Sequence, residues 1–132
     1  MSSVEMLSYE VPQKTASIAG VDMFGIINKH GRMIDFWGKK GLSLPKERCD
    51  MFLMQIVLQN SMQKDFDDEF GNVSYCTTYR GKTKFIQFPF SDEKTVLIMA
   101  SKRVDDKTVI DKVRCFLCPP KRLQQRKGGA RD

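Results

Sequence analysis

Four cysteines, one histidine and a run of acidic side chains are the groups in this 132-residue chain whose types could do chemistry. Thiolates and imidazoles hold zinc when they recur in paired short spacings. Here Cys49 and Cys76 stand alone. Cys115 and Cys118 form one CxxC, but it precedes Pro119-Pro120 at the end of an expected helix, not at a helix start where a thiolate is stabilised. The spacing predicts reduced, buried packing cysteines and no metal or redox role. His30 falls in an expected turn with no carboxylate or nucleophile arranged around it, so an acid–base role has no partner. Asp65, Asp67, Asp68 and Glu69 crowd one helix end and read as a solvated terminus, the alternative being a carboxylate or docking patch. Neither a GxxxxGKS/T nor a GxGxxG phosphate loop occurs. The chain is therefore expected to be no enzyme and to need no cofactor.

The element that must position most of these groups is the stretch from Pro45 to Phe70, which has no internal Gly or Pro and reads as one long helix. With 100° per residue, Cys49, Phe52, Leu53 and Ile56 gather on one side. Met51, Met54, Leu58 and Met62 gather on the other. A helix on the surface of a monomer needs only one apolar stripe, so the second one predicts a cover, either other parts of the chain or another subunit. Pro45 suits the helix start and Gly71-Asn72 the stop. The four acids near the end oppose the helix macrodipole.

Strands surround this helix in the sequence. Val21 to Asn28 is apolar on both alternating sets, Phe24 with Ile26 and Val21 with Met23 and Ile27, as a central strand requires. A turn at Lys29-His30-Gly31 joins it to a second strand bearing Met33, Ile34, Phe36 and Trp37. Asn72 to Arg80 is a mainly polar edge strand, with Tyr75 and Thr77 on one face. TKFIQFPF, from Thr83, follows, with Ile86, Phe88 and Phe90 facing one way and Phe85 the other. Thr95 to Ser101 is again apolar on both sets and belongs at the centre. Asp105 or Asp106 caps a last helix striped by Val109, Ile110, Val113, Phe116 and Leu117. A short helix from Pro12 to Ile18 is expected before the first strand. The fold class is thus α+β: a five-stranded antiparallel sheet of order 2-1-5-4-3, the long helix on one face and terminal helices on the other. Phe24, Ile26, Phe52, Phe88 and Ile98 are expected to fill a single core.

At 132 residues one domain is expected, over 1–118, followed by a disordered basic tail over 119–132. The net charge of +6 is concentrated in that tail, where Lys121, Arg122, Arg126, Lys127 and Arg131 face Asp132 alone. The remaining residues carry 17 basic and 15 acidic side chains, so the sequence pI of 9.2 does not by itself mark a nucleic-acid-binding domain. The tail could still contact phosphate backbone weakly, or an acidic protein face. No leader or membrane-spanning run is present, which predicts a cytoplasmic protein.

GVDMFGIINKHGRMIDFWG, residues 20–38, together with the order of elements, resembles the Roadblock branch of the profilin-like folds. The likeness covers roughly residues 12–118 and lies chiefly in topology, with Gly20-Val21 and the turn at His30-Gly31 as its closest matches. The whole chain also resembles small archaeal proteins of about this length. The resemblance implies a non-enzymatic homodimer that binds a small GTPase or scaffolds its regulator. It further implies pairing through the long helix and the third strand, with Met51, Met54, Leu58, Met62, Tyr75 and Thr77 at the interface. The wider fold group suggests an alternative, a small-ligand sensor with a pocket between sheet and helix.

Overall fold

The computed structural model describes residues 14, 17–39, 41–91 and 93–117. The expected helix from Pro12 to Ile18 lies largely outside them, and the tail from 119 lies wholly outside. The elements run β1 (Val21–Asn28), β2 (Met33–Gly38), α1 (Lys46–Lys64), α2 (Asp67–Phe70), β3 (Cys76–Arg80), β4 (Thr83–Ser91), β5 (Lys94–Ser101) and α3 (Asp106–Leu117). All pairings are antiparallel and the sheet order is β2-β1-β5-β4-β3.

The two strands that are apolar on both alternating sets, β1 and β5, pair with each other at the centre and are buried on both faces. One face carries Val21, Phe24, Ile26, Ile86, Phe88, Val96 and Ile98 under the stripe of α3. The other carries Met23, Ile27, Leu97 and Met99 under Leu53 and Ile56 of α1. There are therefore two cores, and Phe52 packs in the second, apart from Phe24, Ile26, Phe88 and Ile98. Its ring meets that of Phe85 at a tilt of 60°, with centroids 5.1 Å apart. Val21 also departs from strict alternation. A register shift between Val21 and Met23 turns it onto the α3 face with Phe24.

The β1–β2 turn is tied by Asn28, whose Oδ1 accepts the backbone N–H groups of His30 and Arg32 at 2.9 and 3.0 Å. Gly31 there has φ +79°, and a Cβ on it would meet the Met54 backbone at 3.2 Å, so the turn rests directly on α1. The start of α3 is fixed by Asp105, whose Oδ2 accepts from the backbone N–H and hydroxyl of Thr108. Those bonds hold the Asp105 carboxyl below the ordinary carboxylate range, with lesser help from Lys84 and Lys107.

Two elements are shorter than expected. The long helix does not run to Phe70: the Asp65 and Phe66 N–H groups bond three residues back, to Met62 and Gln63, and Phe66 leaves helical geometry. A new turn then begins at Asp67. The break moves Asp67, Asp68 and Glu69 from the negative end of one helix to the positive end of another. The third strand starts at Cys76 rather than Asn72. The cysteines are less buried than expected as well: Cys49 and Cys76 are half-buried and Cys115 is exposed, all free thiols, while Cys118 lies outside the described residues.

Candidate functional site

The outward face of α1 carries a row of apolar side chains that the described residues leave exposed. Leu53 and Ile56 are 3 and 5% exposed on the sheet side. On the opposite side Met51, Met54, Leu58 and Met62 are 51, 39, 53 and 67% exposed. Phe66 and Phe70, at 58 and 84%, prolong the row past the helix end. A reading of one unbroken helix hid that continuation, although Met54, Leu58, Met62, Phe66 and Phe70 recur every fourth residue. The Leu42–Leu44 loop, which could have covered the row, lies instead against its N-terminal flank.

The other expected interface residues lie elsewhere. Thr77 pairs with Ile86 in β3, which places it on the α3 face of the sheet, opposite α1. Its hydroxyl is buried without a hydrogen-bond partner among the described residues. Tyr75, half-exposed, precedes the strand. Thr77 therefore faces away from the row on α1, while the β3 edge, which pairs with no further strand among the described residues, adjoins α1 through Thr78 and Arg80. The cations Lys121, Arg122, Arg126, Lys127 and Arg131 lie outside the described residues.

Between the N-terminal half of α1 and strands β3 and β4 runs an open groove of about 420 Å³. Leu44, Phe52 and Phe85 line it, and Arg48 and Arg80 stand at it. Neither arginine has a carboxylate within ion-pair distance among the described residues. A second hollow of about 390 Å³ lies at the far end of α1, bounded by Asn60, Gln63, Cys76, Gln87 and Pro89. It sits past the end of β3, whereas the layer between α1 and the sheet is closed by Leu53, Ile56, Leu97 and Met99. Asn60 spans that layer, donating to Thr95 Oγ1 and accepting from Gln87 Nε2, both at 2.8 Å.

One buried charge escaped the sequence reading. Lys84 is 1% exposed on the α3 face, where its Nζ pairs with Asp106 and donates to the Val104 carbonyl, with the Tyr79 ring 5.4 Å away. The pair ties the start of α3 to β4. His30 is exposed in its turn, and no group of three or more potential metal ligands occurs among the described residues. None of the described helices is long and apolar enough to cross a membrane.

A five-stranded 2-1-5-4-3 sheet with a long helix on one face and α3 on the other is the Roadblock/LC7 fold, and solved structures bear this out. A Roadblock/LC7 domain from Streptomyces avermitilis superimposes with a TM-score of 0.65 at 9% identity, over 92% of this chain and 96% of that one. The gliding protein MglB from Thermus thermophilus gives 0.67 at 10%, over 89% of both chains. An MglB described as having a tetrameric arrangement gives 0.66 at 10%, over 86% and 85%. No protein-family model and no curated protein matches the sequence.

Proposed function

We propose that this protein is a non-catalytic regulatory module of the cytoplasm that self-associates through α1 and, as a dimer, binds a small GTPase or a regulator of one. The observation that carries this reading is the uncovered row of Met51, Met54, Leu58 and Met62 on a helix whose other face already holds a complete core. Monomers rarely leave so continuous an apolar surface in water. The Roadblock/LC7 fold supports the reading, as does the tetrameric arrangement of one of the MglB structures. Light scattering after size exclusion tests the first part: a mass near twice 15.2 kDa is expected. Capture from a lysate of the source cells, with wild type and a Leu58→Asp variant as paired baits, tests the second. A GTPase or its regulator should be retained by the dimer.

A second reading rests on charge alone. Five cations within the last twelve residues would attract a polyanion in a salt-dependent manner, separably from the domain.

A further inference from the structure

The groove beside α1 and the acidic tip beyond it are complementary in shape and charge, and we propose that the tip of one copy docks into the groove of the other. This deepens the dimer reading above and rests on it. The groove offers an apolar floor of Leu44, Phe52 and Phe85, and at its rim stand two guanidiniums with no carboxylate partner among the described residues, Arg48 and Arg80. The tip offers the matching features: Phe66 and Phe70, exposed and 6.3 Å apart, with Asp68 and Glu69 exposed between them. Within one chain the two cannot meet, because they lie at opposite ends of a 19-residue helix, a span of nearly 30 Å.

A two-fold axis removes that separation. With the axis at Leu58, Met54 of one copy faces Met62 of the other, and the groove beside the helix start of one copy faces the tip beyond the helix end of the other. The apolar row is symmetric about Leu58, four residues to either side, so antiparallel helices match methionine against methionine. Each dimer then holds two identical tip-in-groove contacts, as an isologous interface requires. The contacts give the two exposed acids of the tip, Asp68 and Glu69, a partner. They also explain why two arginines flank an apolar hollow without an internal carboxylate. Charges placed in this way set orientation and exclude the parallel arrangement, which would bring tip against tip.

Charge exchange tests the assignment. Arg48→Glu with Arg80→Glu sets acid against acid in a homodimer, and Asp68→Arg with Glu69→Arg sets base against base. All four positions are exposed, so both variants should melt like the wild type. Sedimentation velocity over a concentration series should show each dimer weakened about tenfold or more, since several exposed pairs change sign together. An equimolar mixture of the two variants restores opposite charges at both contacts, and a mixed dimer close to wild-type affinity is expected. A wild-type dimer that both variants form equally well overturns the docking and leaves the groove to an acidic partner protein, with the self-association standing. A wild type that stays a single subunit at every concentration overturns the dimer reading itself.

Discussion

Leu58→Asp places a carboxylate at the middle of the exposed row, and the structure sets the size of its effect. Met51, Met54, Leu58 and Met62 together leave about two whole side chains' worth of surface uncovered per copy. At about 1.5–3 kcal/mol for each fully buried apolar side chain, covering that surface in a two-fold pair yields roughly 6–12 kcal/mol. Association itself costs roughly 4–15 kcal/mol, so the row alone sits near balance and each member is felt. Leu58→Ala removes about half a buried leucine from each copy, roughly 2 kcal/mol for the pair, and should raise the dimer Kd about thirtyfold. Leu58→Asp also confronts two like charges across the axis, and should raise it beyond about a hundredfold. The fold should hardly notice. Leu58 belongs to neither core cluster, and surface substitutions of this kind stay within about 0.5 kcal/mol. Leu53→Ala, at a position 3% exposed on the opposite side of the helix, should instead cost about 2–5 kcal/mol of folding stability. Analytical ultracentrifugation across micromolar concentrations reads the first effect and denaturant unfolding the second. A Leu58→Asp protein that self-associates as the wild type does would refute the argument that this row is the buried surface of the assembly.

Asp106→Ala leaves the Lys84 ammonium buried without its counter-ion and should cost about 3 kcal/mol, whereas Lys84→Met, which removes charge and keeps bulk, should cost much less; urea titrations of the two variants compare them directly. Asp105→Ala removes the cap of α3 and should lower Tm at neutral pH. Because the folded-state pKa of Asp105 lies below its unfolded value, its stabilisation is complete above the unfolded pKa and disappears as pH falls through the folded one, so the Tm gap should close in acid. Gly31→Ala forces a side chain into φ +79° against the α1 backbone and should destabilise by about 1–2 kcal/mol, measured by thermal melting. Deletion of residues 119–132 should leave the melting curve of the domain in place and abolish any salt-sensitive retention on immobilised duplex DNA.

The sheet order was legible because two strands, Val21 to Asn28 and Thr95 to Ser101, are apolar on both alternating sets while Cys76 to Arg80 is not, and only the former can occupy the centre. The opposed stripes of α1 were equally plain from 100° spacing, since Pro45 marks where the spacing begins. Three features were not legible, each for a different reason. The irregularity next to Asp22 that turns Val21 over is a pairing event between β1 and β5, and local pattern does not record it. The break at Asp65 and Phe66 lies in a segment without glycine or proline, where charge against the dipole was the only cue. Lys84 follows a threonine at the start of a strand and looks like any solvated lysine. Its burial depends on Asp106 and Val104, about twenty residues later, closing over it. The sheet face that Thr77 takes relative to the methionine row is likewise a tertiary relation, which helix and strand patterns read separately do not record.

The concealment of Lys84 also makes that amine a built-in chemical clock. Every other described lysine is exposed and should be acylated quickly by an amine-reactive ester, while Lys84 can react only when α3 lifts away from β4. Labelling at that one position, followed by peptide mass, would time the opening of the domain without any engineered probe.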